Sequence, residues 1–182
     1  MKLYSYVVHH DTGRAPNPYF GVCTLCRCKY RKPGGTRRNI VELAEVGDWV
    51  VGTGGADKKK SAGHGKLVYA MRVDKKLTRE QYYACPRFKA REDNEPPKDD
   101  FERHGQFVLI SRHFYYFGAK AITIPFRKLE KSGPGFRSDF APADIRRFVE
   151  WLEQQGKPGK RGEPCQKRVG KPRGGKTCKS SC

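Results

Sequence analysis

Two imidazoles, a carboxylate and a carboxamide fall within ten residues near the start of the chain: His9, His10, Asp11 and Asn17, in His9-His10-Asp11-Thr12-Gly13-Arg14-Ala15-Pro16-Asn17-Pro18. Such groups can move a proton or hydrogen-bond the edge of a base. They follow directly on an apolar run, and polar groups projected from a rigid strand end build many sites. Pro16 and Pro18 restrict the backbone around Asn17. The same residues also suit an ordinary turn, with Asp11 and Asn17 capping backbone amides. Next comes Cys23-Thr24-Leu25-Cys26-Arg27-Cys28, with C-x2-C-x-C spacing. Arg27 and Lys29 would lower the pKa of Cys28 and make it a candidate nucleophile. Cys23, Cys26 and Cys28, with Cys85 or a histidine as fourth ligand, have donors that zinc accepts. No second paired C-x2-C exists, so zinc is not the favoured reading, and three thiols on a half-buried strand is the simpler one.

Gly52-Thr53-Gly54-Gly55 followed by Lys58, Lys59, Lys60 and Ser61 resembles a phosphate loop. It fails the nucleoside-triphosphatase pattern, because Lys59 stands where the second glycine belongs and no helix pattern follows. A glycine-rich loop with these lysines and Lys66 can still cradle backbone phosphates; the alternative is a solvated hairpin tip. Arg112-His113-Phe114-Tyr115-Tyr116-Phe117 interleaves a cation, an imidazole and four aromatics. Extruded or single-stranded bases are held by aromatic stacking. Alternate strand residues face opposite sides, so one of the pairs Phe114/Tyr116 and Tyr115/Phe117 belongs to a core. The other is free to line a pocket together with Trp49 and Tyr19, unless all four pack.

The elements that must position these groups are short. Met1–Val8, Trp49–Thr53, Lys66–Val73, Phe107–Ser111, Phe114–Phe117 and Ala121–Ile124 read as strands. Asn39 is an N-cap for a helix over Ile40–Glu45, and Thr78 caps another ending near Tyr83. Asp139–Gln155 is the clearest helix, with Pro142 in its first turn and apolar residues at Ile145, Phe148, Val149 and Leu152. The fold class is therefore α+β: a small mixed or antiparallel sheet, in one version a partly closed barrel, with a C-terminal helix and a disordered basic tail. The regular strand–helix alternation of a doubly wound sheet is missing. Residues 1–155 form the domain and 156–182 the tail, whose Lys/Arg/Gly/Pro composition buries too little to order itself.

The 182 residues include 38 Lys and Arg against 19 Asp and Glu, a net +19. Nine of those cations and one acid, Glu163, lie from Gly156 onward, so residues 1–155 still carry +11. A basic body as well as a basic tail points to a polyanionic partner, because each Lys or Arg placed on a phosphate releases counterions. No apolar stretch approaches the ~20 residues of a membrane span, and the N-terminus reads as lacking a signal peptide. Seven unevenly spaced cysteines fit reduced thiols better than a secreted disulfide framework, so a cytoplasmic location is expected.

Four strings carry a family resemblance: Tyr4-Ser5-Tyr6-Val7-Val8 with Asp11-Thr12-Gly13-x-Ala15-Pro16-Asn17-Pro18-Tyr19-x-Gly21-x-Cys23-Thr24-Leu25-x-x-Cys28-Lys29; Val46-Gly47-Asp48-Trp49-Val50-Val51-Gly52-Thr53-Gly54; Leu67-Val68-Tyr69-Ala70-Met71-Arg72-Val73; and Arg112 to Gly118. Over residues 1–150 the chain resembles the second type of nucleotide modification associated domain. These are bacterial and phage proteins linked to systems that make or handle modified DNA bases. The resemblance implies site candidates at the matched polar positions Asp11, Asn17, Thr24, Cys28, Asp48, Thr53, Arg112 and His113.

One expected function follows: a nucleic-acid-associated protein, DNA more readily than RNA, that recognises a modified or extruded base on a scaffold analogous to PUA-type barrels. Trp49, Tyr19 and Tyr115 or Tyr116 would stack, Asn17 and Asp11 would read edges, and Lys58, Lys59, Lys60 and Lys66 would hold phosphates. A second is an enzyme acting on a base or nucleotide, with Asp11 or His113 as acid/base and Cys28 as nucleophile. A third is a non-catalytic accessory or defence-related protein that binds a partner.

Overall fold

The computed structural model describes residues 1–26, 30–31, 38–94, 106–131, 133 and 135–166. Twelve strands occur among them: β1 Leu3–Val8, β2 Cys23–Leu25, β3 Tyr30–Arg31, β4 Arg38–Asn39, β5 Trp49–Gly54, β6 Lys66–Arg72, β7 Lys75–Thr78, β8 Phe107–Ser111, β9 Phe114–Tyr116, β10 Ile122–Thr123, β11 Phe136–Arg137 and β12 Gly159–Lys160. Four α-helices accompany them: α1 Ile40–Leu43, α2 Lys58–Ser61, α3 Arg79–Ala84 and α4 Pro142–Gln154.

The main sheet runs β11-β1-β5-β6-β9-β12, with β10 alongside the start of β6. It is mixed: β1 is parallel to β5 and β9 to β12, while β5–β6, β6–β9 and β1–β11 are antiparallel. β2, β8 and β7 form a second sheet, wholly antiparallel. Among the described residues no strand pairs with the outer side of β11 or β12, so the main sheet does not close on itself, and a PUA-like barrel is not shown. The α+β class is.

Side-chain alternation sorts the interior into layers. From β9, Phe114 and Tyr116 enter a core between the two sheets, shared with Tyr4, Tyr6, Tyr69, Cys23 and Leu109. Tyr115 and Phe117 enter a second core under α4, with Leu3, Trp49, Val51 and the helix residues Ile145, Phe148 and Leu152. Each of those three helix side chains contributes ~1.5–3 kcal/mol by burial. A third core, with Tyr82, Phe88, Val108 and Ile110, lies on the outer side of the small sheet under α3. All four aromatics of the Arg112–Phe117 string are therefore buried.

Local chemistry starts the helices where the sequence places them. Asn39 accepts from the Val41 amide at 3.2 Å. Thr78 and Gln81 form a reciprocal capping box at α3. Pro142 occupies the first turn of α4. Two segments differ from the sequence reading. The lysine loop contains a helical turn, α2, because Asp57 caps it by accepting from the amides of Lys59 and Lys60. The chain also does not leave the fold at Gly156. Gly159 and Lys160 pair with Tyr115 and Tyr116 as β12, and residues through Gln166 are packed on the domain. The 156–182 boundary for a disordered tail is thus drawn too early by the composition. Residues 167–182 lie outside the described part.

Candidate functional site

β1, β5, β9 and β12 all point the same way, so their carboxyl ends share one rim of the main sheet. That rim receives the loop after β1 (His9, His10, Asp11), α2 after β5 (Lys58, Lys59, Lys60) and the strap after β12 (Arg161–Gln166). Ligand sites in open sheets commonly form at such ends, where several loops converge. Lys66, at the start of β6, joins the same rim, and its Nζ donates to Thr123 Oγ1 at 2.8 Å.

Asp11 is the knot of the rim. Its buried carboxylate accepts from Tyr116 OH at 2.5 Å through Oδ1 and from the Cys165 amide at 3.0 Å through Oδ2. Its backbone accepts from Gln166 N at 3.0 Å and donates to Lys60 O at 2.8 Å. His10 Nδ1 lies 3.2 Å from Gln166 Oε1. Burial, with the Asp11 charge next, pushes the Cys165 thiol up to about 11 and raises the Tyr116 phenol too. With both carboxylate oxygens taken, Asp11 clamps the strap to the sheet.

The aromatic face that this rim does offer is Tyr19 and Phe20. Lys160 Nζ sits 5.0 Å from the Tyr19 ring centre, and Tyr19 OH donates to Glu163 at 3.4 Å. Phe20 is 39% exposed and takes a left-handed backbone (φ 60°), a conformation that costs a non-glycine residue energy and recurs at functional sites.

Beneath Tyr19 lies a polar network absent from the sequence reading. Arg91 donates to Asn17 O at 2.8 Å, Tyr19 O at 2.5 Å and Thr24 Oγ1 at 2.8 Å. Asp93 accepts from Arg91 Nε at 3.3 Å, Tyr82 OH at 2.9 Å, Cys26 Sγ at 3.3 Å and Thr24 Oγ1. Asn17 and Thr24 also exchange backbone hydrogen bonds, both at 2.9 Å. Their side chains are buried, so here they hold the Tyr19–Phe20 turn in place.

The remaining candidates fall elsewhere. Asp48 pins the amino ends of β1 and β5, accepting from Lys2 N at 2.7 Å and Glu45 N at 3.1 Å. Thr53 donates to Tyr6 O at 3.2 Å inside the sheet. Trp49, Tyr115 and Tyr116 are buried among protein side chains. His113 precedes β9, packed against Trp49 (5.5 Å between ring centres) and Tyr115 (5.8 Å), and among the described residues its Nε2 has no hydrogen-bond partner. It lies on the α4 side of the sheet, whereas Asp11 meets Tyr116 on the other side and at the other end of β9. The structure does not bring the two proposed acid/base groups together. Arg112 is exposed beside His113. Cys28 lies outside the described residues.

Cys23 and Cys26 face opposite cores, so the two thiols point away from each other across the small sheet. Burial raises both well above the usual thiol range. Cys85 is disulfide-bonded, unlike the expected reduced thiols, and so is not available as a ligand. Among the described residues no group of three or more His, Cys, Asp or Glu could hold a metal ion. No helix among them is long and apolar enough to cross a membrane.

Fold and rim together define a mixed α+β domain of two packed sheets that presents lysines and an aromatic turn at one strand end. The family model described as nucleotide modification associated domain 2 matches residues 1–100 and 90–171, and the chain belongs to that family. No curated protein and no solved structure matches it.

Proposed function

We propose that the chain is a nucleic-acid-contacting member of its family, holding DNA at the carboxyl-end rim so that a modified or extruded base meets Tyr19 and Phe20. The observation that carries this reading is α2. A single helical turn exposes three consecutive lysines, and among the described residues Lys60 alone of the three pairs with an acid, the exposed Asp57 at 3.1 Å. An exposed pair of this kind contributes little and leaves the cation available to a phosphate. Lys160, paired with Glu163, stands on the same rim over Tyr19, and the family description ties the chain to nucleotide modification. Trp49, Tyr115 and Tyr116 serve in this reading as core packing of the sheet.

The test is DNA affinity of the full chain measured by fluorescence anisotropy across a salt series. Replacing Lys58, Lys59 and Lys60 by alanine is expected to weaken binding and to flatten the log–log salt slope by about 2–3, close to one unit for each phosphate that is no longer neutralised. An unchanged slope contradicts the assignment.

A further inference from the structure

At the opposite end of the main sheet from the rim a cleft of about 310 Å³ opens where the long β6–β7 and β8–β9 ribbon bends between the sheets. Its floor is apolar, made by Val22, Phe88 and Ile110. Phe88 is held in orientation by stacking on Tyr82, 4.6 Å between centres at 23°. Lys75, Arg87 and Arg112 ring the mouth, with one acid, Asp74, on the wall. Asp74 Oδ2 accepts from the amides of Arg112 at 2.5 Å and His113 at 3.3 Å, which fixes the turn that carries Arg112. Arg112 is exposed and Arg87 half-buried, its guanidinium 5.9 Å from the Phe88 ring centre, and no carboxylate among the described residues pairs with either.

We propose that this cleft binds a nucleoside 5′-phosphate unit. A planar base lies on the Phe88–Ile110 floor, the Arg87 and Arg112 guanidiniums clamp the phosphate, and Asp74 accepts from a sugar hydroxyl. Guanidiniums match phosphate oxygens two at a time, which a compact ammonium does not. The volume lies at the small end of the ~300–1,000 Å³ range of ligand sites. A site for a bare anion needs no apolar floor, and an apolar groove needs no arginines left without a carboxylate; this cleft has both. It uses none of the rim residues, so it stands or falls separately from the DNA reading.

The experiment titrates isotope-labelled full chain with AMP, dAMP, adenosine, inorganic phosphate and a single-stranded oligonucleotide, following backbone amides by nuclear magnetic resonance. Saturable shifts at Lys75, Phe88 and Arg112 are expected. AMP or dAMP acting alone assigns a free nucleotide; the oligonucleotide acting without them assigns a nucleotide within a strand. Adenosine and phosphate should each bind at least tenfold more weakly. Replacing Arg87 and Arg112 together by alanine should weaken binding by roughly tenfold or more, the scale of one charge-assisted hydrogen bond. Arg112→Lys should restore it only in part. In the same double variant, DNA affinity at the rim should persist, while the Lys58–Lys60 alanine variant should keep its mononucleotide affinity. No shift with any nucleotide, equal affinity for phosphate alone, or undiminished binding by the double variant overturns the proposal.

Discussion

Arg91 and Asp93 show how much a residue's role depends on partners far away in the chain. Their side chains are 1% and 3% exposed, and between them they bind Asn17, Tyr19, Thr24, Cys26 and Tyr82. Taking one member from a buried ion pair strands the other charge at a cost of about 3–5 kcal/mol. Asp93→Ala should therefore lower the urea midpoint severely, whereas Lys58→Ala, on the surface, should stay within about 0.5 kcal/mol of the parent. Equal midpoints for the two variants would mean that the network does not hold the fold. In sequence Arg91 and Asp93 look like part of a polar loop, because nothing local distinguishes a solvated charge from one that meets most of its partners across more than sixty residues. The residues around them are more legible. Asp11 and Asn17 stand out by type, and burial with backbone bonding is the capping role that the sequence offers as an alternative. The stacking roles for Trp49, Tyr115 and Tyr116 read less well, since an aromatic on a strand looks the same whether its face meets solvent or a second layer.

Among the elements, periodicity and caps locate the interior strands and three of the helices. They fail where backbone pairing outweighs side-chain pattern. β7 is Lys75-Lys76-Leu77-Thr78, poor strand composition that is ordered by its antiparallel register on β8. β12 is Gly-Lys in a segment that looks like a tail. The strap after it docks by close backbone approach. Gly118, at φ 55°, and Gly162 each face a carbonyl, of Glu163 and Phe117 respectively, that a Cβ would strike. The Arg161 amide donates to Tyr116 O at 2.8 Å and Ala119 N to Glu163 O at 2.7 Å. A chain ended at Gln155 lacks these bonds and leaves Asp11 short of its Cys165 partner. It should be less stable than a chain ended at Gln166 by about 2–4 kcal/mol, on the scale of a few hydrogen bonds, one of them to a buried charge. Matching urea midpoints for the two would show that the strap is dispensable.

For the molecule as a whole, charge and topology work together. The main sheet is open, and its parallel pairs β1–β5 and β9–β12 bring four carboxyl ends to one rim. The strap then delivers Gln166 next to Asp11, which is itself bonded to α2. Composition alone makes the protein basic, but only the strand directions show that Lys58–Lys60, Lys66 and Lys160 gather there. Residues 1–166 carry a net +13, so the positive field belongs to the folded part even without the last sixteen residues. The most direct measurement is the affinity of a chain ended at Gln166 for a DNA duplex and for single-stranded DNA, at low salt and again at high salt. Clear binding at low salt that weakens steeply as salt rises is the expected result. A folded 1–166 chain that leaves DNA unbound even at low ionic strength would contradict the assignment of the rim to DNA.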